Sequence, residues 1–164
     1  MSSSGETLLG FAFLCDRQDA IATVARWYHD EWGDLHGSES VERAREQLQD
    51  YLNRDEIPFV LLAMVADEIV GAVQLKNHEM AEQFPDKEHW LGGLYVAPDQ
   101  RGRGFGSQIV DQLVRLAPRY GVSTLHLQTL ALDGGLYARL GWKPIARATN
   151  NQREVVVMER RLST

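Results

Sequence analysis

A strand, a glycine-rich loop and a helix follow one another in the middle of this chain. Apolar residues predict the strand over residues 90–96, glycines predict the loop over 98–104, and helical spacing predicts the helix over 106–120. The first N–H groups of a helix lack internal partners and carry partial positive charge, so they bind anions. Glycines let an anion approach the backbone closely. The segment therefore predicts a cradle for a pyrophosphate, in which Arg101 and Arg103 add positive charge.

Two other phosphate-binding patterns do not fit this loop. A P-loop requires Lys-Ser/Thr after its last glycine, whereas Phe105, Gly106 and Ser107 follow Gly104. A dinucleotide fingerprint requires a different spacing of glycines and opens a first βαβ unit, whereas this strand lies in mid-chain. A glycine turn that merely joins strand to helix is the structural alternative. The coincidence of arginines with a helix start favours the cradle.

Composition restricts the class of protein. The chain has 164 residues, of which 44% are apolar and 24% charged, and its single cysteine, Cys15, excludes a disulfide scaffold. One domain is predicted over residues 1–164, with its core over about 7–162. The formal net charge of −6 provides no overall basic surface, so no nucleic-acid partner is expected.

The sequence predicts neither a membrane segment nor an export signal. The longest apolar run, residues 59–66, is far shorter than the ~20 residues that cross a bilayer. Residues 1–6 lack a basic region followed by an apolar stretch. We therefore expect a cytoplasmic protein without a membrane partner.

The order of the predicted elements indicates the fold class. Strands outside the central unit are predicted over residues 7–15, 59–66, 69–75, 123–130, 142–147 and 154–160. The other helices are predicted from Ile21 to Gly33 and Gly37, from Ser40 to residues 53–56, and over 136–140. Asp67-Glu68 is the predicted hairpin turn, and Pro118 is expected to kink or end the central helix. This mixture predicts an α/β (α+β) fold with a mostly antiparallel sheet.

Two motifs in the expected order resemble those of the GNAT (GCN5-related) N-acetyltransferase superfamily. The loop from Arg101 to Gly106 matches the family signature R/Q-x-x-G-x-G/A. Downstream, Tyr137 is followed by Leu140, Gly141 and Trp142, similar to the family's tyrosine and Leu-Gly-aromatic turn. The resemblance implies a twisted sheet of about six to seven strands flanked by about four helices, with splayed central strands that bind the cofactor.

The resemblance also implies acetyl-CoA as cosubstrate, with no metal. The family's pyrophosphate contacts correspond to loop and helix-start residues, which are Arg101, Gly102, Arg103, Gly104, Phe105, Gly106 and Ser107. The family's pantetheine arm pairs with the backbone of the preceding strand, here Leu94, Tyr95 and Val96.

Tyr137 corresponds to the family's usual general acid, which protonates the departing thiolate. A half-buried core tyrosine is the alternative for this residue. The asparagine that family members often place shortly before this tyrosine is absent from residues 130–135.

The general base is not identified by the resemblance. Many family members carry a glutamate on the strand before the loop, and this strand has none. The base candidates are Glu88 and His89 at its entrance and His126 on the next strand. A chain of water molecules without a single base is the alternative.

The substrate end of the site is expected at the first two helices and at residues 77–88. Trp27, Tyr28 and Glu31 are the candidates to hold a cationic amine through cation–π and ionic contacts. Membership of the core is the alternative for the aromatic residues. The function implied is acetyl transfer to a primary amine of a small molecule or peptide. A weakly active or inactive CoA-binding sensor or interaction module, nucleotide binding and a homodimer are left open.

Overall fold

The computed structural model describes residues 7–36 and 40–162. Seven strands form one sheet in the order β1-β2-β3-β4-β5-β7-β6. They are β1 (Gly10–Phe13), β2 (Phe59–Val65), β3 (Glu68–Asn77), β4 (His89–Val96), β5 (Thr124–Thr129), β6 (Lys143–Asn150) and β7 (Arg153–Arg161). Neighbours are antiparallel except β4 and β5, which are parallel. The sheet confirms the predicted mixed, mostly antiparallel architecture.

Four α-helices cover the two faces of this sheet. They are α1 (Ile21–His36), α2 (Val41–Leu48), α3 (Phe105–Leu116) and α4 (Gly135–Arg139). Ser40 caps α2, because its hydroxyl oxygen accepts a hydrogen bond from the Arg43 N–H at 3.1 Å. No described helix has the length and apolar content needed to span a bilayer.

One face of the sheet packs against α3. The side chains of Phe105, Ile109 and Leu113 are buried at this contact, and burial of each such side chain contributes about 1.5–3 kcal/mol. A Cβ atom at Gly71 of β3 would lie 2.8 Å from Ile109 Cδ1. The glycine therefore permits the close approach of α3 to β3 and β4, the strands that border the site.

Two separate parts of the chain cover the opposite face of the sheet. α1 and α2 cover β2 and β3, where Val24, Leu48 and Leu62 are buried together. The connection between β3 and β4, residues 78–88, covers the sheet farther along, where Met80 packs with Trp90 and Val157. This connection is called the 78–88 segment below, and it borders the site from this face.

Several element boundaries differ from the prediction. α1 continues through Gly33 to His36, so Gly33 does not end the helix, while Gly37 lies outside the described residues. A glycine inside a helix costs only about 0.5–1 kcal/mol relative to alanine, less than the burial of one large apolar side chain of that helix contributes. The hairpin turn is Ala66-Asp67, one residue earlier than predicted.

Other boundaries changed only in length. β1 ends at Phe13, because Leu14 begins a 3₁₀ turn that extends to Asp16. β6 extends to Asn150, beyond its predicted end. α3 ends at Leu116, before Pro118, as predicted.

Candidate active site

Strands β4 and β5 separate in the middle of the sheet. They pair at one position, Trp90 with His126, and no later described residue of β4 pairs with β5. On its other edge, β4 has one extra residue between its pairs with Ala72 and Gln74 of β3. Such a bulge bends a strand and increases its twist. The opening between β4 and β5 is called the splay below, and it leaves one edge of β4 without a strand partner.

The bulge is held in place by α1. Gly93 has a φ of 56°, and its carbonyl oxygen accepts a hydrogen bond of 2.8 Å from the Tyr28 hydroxyl. A Cβ atom at residue 93 would lie 2.7 Å from that hydroxyl oxygen, so the contact requires glycine. Burial raises the pKa of Tyr28 far above its usual value, so the hydroxyl remains a donor. Tyr28 therefore positions the β4 backbone.

The splay exposes the stretch of β4 that the resemblance assigns to the pantetheine arm. Leu94, Tyr95 and Val96 all lie beyond the last pair with β5. The Tyr95 side chain packs on the α1 side of the sheet, where its ring stacks on Trp27 with centroids 5.2 Å apart. Since this ring is held within the fold, the backbone of these residues is the part available for hydrogen bonds in the splay.

A row of unpartnered backbone amides follows β4. The N–H groups from Gly102 to Ser107 have no hydrogen-bond partner among the described residues, and the first intrahelical bond of α3 is donated by Gln108 to the Gly104 carbonyl oxygen. These amides include the whole first turn of α3, where the helix dipole is positive. The loop therefore presents donors to a bound anion.

Two loop glycines have open space where their side chains would be. Gly102 and Gly104 have φ values of 80° and 78°, and a Cβ atom on either would meet no atom of the described residues within 4 Å. The backbone shape thus favours glycine, and no described residue occupies the space that a side chain would fill. Unpartnered amides beside such a space fit a pyrophosphate.

The two loop arginines make contacts within the protein. Arg101 Nε donates to the Val96 carbonyl oxygen at 2.8 Å, and its guanidinium lies 5.2 Å from the centre of the Tyr95 ring. Arg103 Nη1 donates to Gln100 Oε1 at 2.7 Å. Arg101 therefore secures the end of β4, whereas Arg103 contacts only its own loop and the first helical residue, Phe105.

Replacement of Arg101 tests how these roles divide. Arg101→Ala should lower the stability of the free protein by about 1 kcal/mol, since one hydrogen bond to the backbone is lost. It should also weaken CoA binding less than a change that blocks the amides, and the loss should shrink at high salt because exposed charges are screened. Thermal melting and CoA titration at two ionic strengths measure the two effects.

Arg103→Ala is the matched control, because this side chain makes no hydrogen bond to the backbone. It should leave the stability of the free protein nearly unchanged. If the loss of CoA affinity in Arg101→Ala does not depend on ionic strength, Arg101 acts through the end of β4 and not on phosphate.

A cavity of about 580 Å³ lies at the splay. Gly92, Gly93 and Leu94 of β4 form one wall, and residues 127–131, which end β5 and follow it, also line the cavity. Tyr137 of α4 lines it as well. Polar and aromatic side chains complete the lining, among them His29, Trp32, Asp50, Tyr51, Gln74, Lys76, Glu79 and Arg153. The cavity thus connects the unpaired edge of β4 with groups able to transfer protons.

Tyr137 is half-buried on α4. Its ring packs edge-on against Trp142, with centroids 6.0 Å apart. Burial, reinforced by the negative charge of Glu79, raises the pKa of Tyr137 to about 12. Because its pKa is raised, the hydroxyl is protonated at neutral pH. It has no hydrogen-bond partner among the described residues, so it is available as a donor.

Glu79 is a carboxylate that lines the cavity close to its β4 wall. It lies in the 78–88 segment, and its Oε1 accepts a hydrogen bond of 2.8 Å from Lys76 Nζ on β3. Both side chains are largely buried, with 15% and 21% exposed. Burial by itself lowers the pKa of Lys76, but attraction to Glu79 and Tyr51 outweighs it and raises that pKa. The lysine is therefore charged and holds the carboxylate.

The three base candidates from the sequence do not line this cavity. Glu88 is exposed, and its Oε2 lies 3.7 Å from His89 Nε2 at the start of β4. His126 is buried on the face that carries Trp90, with its Nε2 3.3 Å from Glu159 Oε1, and burial lowers the pKa of this histidine. The side chain at position 126 faces away from α3 because residues alternate along β5. None of these residues enters the mechanism proposed below.

The three substrate candidates occupy different places. Tyr28 lines the cavity. Trp27 lies on the same helix but stacks on Tyr95 and does not line the cavity. The Glu31 carboxylate lies 3.9 Å from Arg101 Nη2 at the surface. Trp32 of the same helix also lines the cavity.

The sequence analysis did not single out Lys76, Glu79, Asp50 or Arg153. These residues come from β3, the 78–88 segment, the 3₁₀ turn after α2 and β7, so no local motif contains them. The signal in the sequence was the expectation that the first two helices and residues 77–88 form the substrate end, since Asp50 belongs to the predicted second helix and Glu79 to that stretch. Among residues 7–36 and 40–162, no three histidine, cysteine or acidic side chains are grouped as metal ligands.

The sequence from residue 21 to residue 142 matches the model of the Acetyltransferase (GNAT) family. The chain belongs to this family, whose members transfer acetyl groups. No curated protein matches the chain significantly in sequence.

Solved structures share the fold along almost the whole chain. An aminoglycoside 6'-acetyltransferase type Ii is 19% identical, with a TM-score of 0.71 and coverage of 94% of this chain and 98% of that one. An aminoglycoside 6'-N-acetyltransferase complexed with coenzyme A is 17% identical, with a TM-score of 0.68 and the same coverages of 94% and 98%. The ribosomal-protein-alanine N-acetyltransferase from Brucella melitensis is 19% identical, with a TM-score of 0.68 and coverages of 94% and 99%. These similarities establish the GNAT fold of the chain.

Proposed function

We propose that this protein transfers the acetyl group of acetyl-CoA to a primary amine by direct attack of the amine nitrogen on the thioester. One observation carries the proposal: the same cavity is lined by the unpaired edge of β4 and by Tyr137. The unpartnered amides from Gly102 to Ser107 follow the same strand. β4 therefore leads to the amides that would bind the cofactor, and the cavity beside β4 contains Tyr137, the proton donor.

The chain offers a group for each part of acetyl-CoA, which supplies an activated acetyl thioester when bound. The amides from Gly102 to Ser107 would hold the pyrophosphate, since they have no partner among residues 7–36 and 40–162. The backbone of Leu94, Tyr95 and Val96 would pair with the pantetheine arm along the splay. These contacts are mostly to main-chain atoms, so they depend on backbone shape more than on side-chain identity.

Tyr137 acts as the proton donor to the leaving sulfur. Tyr137 lines the cavity, and no described residue forms a hydrogen bond with its hydroxyl. The pKa of Tyr137, raised to about 12, keeps the hydroxyl protonated across the pH range in which the amine would be acetylated. A positioned acid of this kind contributes about 10²–10⁴ in rate.

The charges that line the cavity favour an amine that also carries a negative group. The charges of Lys76 and Glu79 compensate each other. Asp50 and Arg153 remain, with opposite charges and no ion pair within the described part of the chain. A polycation could pair with Asp50 but would be repelled by Arg153. An amino acid or peptide carries both a positive amine and a negative carboxylate, so it could pair with both residues. We therefore rank zwitterionic amines and peptides above polyamines and aminoglycosides.

A thiol-release assay tests the proposal. The protein is incubated with acetyl-CoA and a panel of amino acids, peptides, polyamines and aminoglycosides, and free CoA thiol is measured. Thiol release that requires an amine, and that is greatest for amines bearing a carboxylate, is the expected result. If CoA raises the melting temperature but no amine causes thiol release, the protein is a CoA-binding module. If ATP or NAD raises the melting temperature and CoA does not, the loop binds nucleotides.

A further inference from the structure

β4 contributes no carboxylate to the cavity, but the carboxylate of Glu79, from the 78–88 segment, lies beside β4. Glu79 Oε1 is 3.6 Å from the position that a Cβ atom of residue 92 would occupy. The backbone at Gly92 is outside the positive-φ region, so the absence of a side chain is not required by its conformation. Lys76 Cδ and Gln74 Oε1 lie closer to that position, at 3.0 and 3.4 Å. Gly92 therefore lets these three side chains approach the β4 backbone, and Glu79 does so from the 78–88 segment.

We propose that Glu79 accepts the proton that the attacking amine loses, from the space beside β4 that a side chain at position 92 would otherwise fill. This assignment rests on the proposed acetyl transfer and names the base of that reaction.

The surroundings hold the Glu79 carboxylate at this position. Lys76 Nζ donates to Oε1 at 2.8 Å, from a strand that is itself paired on both edges. The next residue, Met80, is 5% exposed and packs with Trp90, which anchors the backbone at Glu79. The ends of the segment are tied together, because the His78 N–H donates to the Glu88 carbonyl oxygen at 2.7 Å.

Glu79 and Tyr137 lie on the same cavity, close enough for the charge of one to act on the other. The negative charge of Glu79 adds to burial in raising the pKa of Tyr137. A base for the nitrogen and an acid for the sulfur are thus present together. The other titratable groups that line the cavity are Tyr28, His29, Asp50, Tyr51, Lys76 and Arg153.

Glu79 and Tyr137 each carry out one proton transfer in the reaction. Glu79 takes one proton from the ammonium, which frees the nitrogen lone pair. That pair forms the bond to the carbonyl carbon, and the carbon–sulfur bond breaks with its electron pair on sulfur. The sulfur receives the hydroxyl proton of Tyr137. As the amide forms, the nitrogen loses its second proton, which returns to the Tyr137 oxygen. Glu79 then releases its proton to solvent, so the products are an acetylated amine, free CoA thiol and one proton.

The pH dependence of a Glu79→Gln variant tests the assignment. With Glu79 present, kcat/KM should be nearly level between pH 7 and the pKa of the amine, because the enzyme removes the proton. Without it, the amine must arrive deprotonated, so kcat/KM should fall roughly 100-fold or more near pH 7 and rise with pH toward the wild-type value. The control is Glu82→Gln, an exposed glutamate of the same segment, which should behave as wild type.

A relocated carboxylate provides a second test. Glu79→Ala combined with Gly92→Glu places a carboxylate on β4 itself, and Glu79→Ala combined with Gly92→Ala is its matched control. The first double variant should recover a level pH profile, and the second should not.

Three results would overturn the assignment. One is a Glu79→Gln enzyme with wild-type rates at pH 7. Another is a loss of rate that is equal at every pH, which indicates a structural role. The third is equal activity of the two double variants. If the wild-type protein releases no thiol with any amine, the proposed acetyl transfer itself fails, which is a different outcome from these three.

Discussion

A Tyr137→Phe enzyme should bind CoA with nearly wild-type affinity and turn over roughly 100-fold more slowly, or slower still, which is the usual scale for a general acid. The substitution removes only the hydroxyl, so the packing of the ring against Trp142 is kept. The phosphate-binding amides are not touched. Steady-state kinetics with a confirmed amine, together with CoA titration, separates the effect on rate from the effect on binding.

Two further measurements make this prediction specific. The rate defect should shrink with an acetyl donor whose thiol is more acidic, since a better leaving group needs less protonation. The wild-type rate should not decline between pH 8 and 10 through loss of the tyrosine proton, because the pKa of Tyr137 is raised to about 12. Tyr120→Phe is the matched control, since the Tyr120 hydroxyl donates to the Arg54 carbonyl oxygen and does not line the cavity. Wild-type turnover in Tyr137→Phe would make solvent the proton donor.

Gly104→Ala should weaken CoA binding by roughly 10- to 100-fold, because one lost charge-assisted hydrogen bond costs about 1.5–3 kcal/mol. The added methyl group would project from the row of unpartnered amides into a space that holds no atom of the described residues within 4 Å. Isothermal titration with CoA measures the loss.

Gly121 supplies a control for backbone strain. Its φ and ψ are 81° and 14°, against 78° and 12° at Gly104, and a Cβ atom there also meets nothing within 4 Å. Both alanine variants should lose about 1–2 kcal/mol of stability, the cost of the left-handed conformation for a residue with a side chain. Gly121→Ala should keep wild-type CoA affinity. Equal affinities in the two variants would contradict the cradle.

The shape of the glycine-rich loop could be predicted from sequence because all its parts are adjacent in the chain, while its binding of phosphate stays a prediction. Glycines with φ values near 80° at positions 102 and 104 and a helix beginning at Phe105 are local properties. Local backbone geometry depends on the identity of neighbouring residues, and glycine is the residue that takes this conformation without strain. The mixed sheet was predictable for the same reason, since each strand and helix has its own apolar pattern.

The errors occurred where packing outweighs local preference. Gly33 was expected to end α1, but the helix continues to His36. For Arg101 the structure adds a contact that no local pattern contains, because its Nε donates to the Val96 carbonyl oxygen. The contact of Arg101 with phosphate stays a prediction.

The sequence by itself determined the fold class and the glycine-rich loop that leads into α3, because each depends on residues close together in the chain. Anion binding by this loop and the role of Tyr137 stay predictions. The tertiary structure decided where the carboxylate of the cavity comes from. Glu79 and Gly92 are separated in the chain by the rest of the 78–88 segment and the first residues of β4, and they meet because β3 and β4 pair as antiparallel neighbours. A pairing of this kind is long-range, and its register decides which side chains share one space.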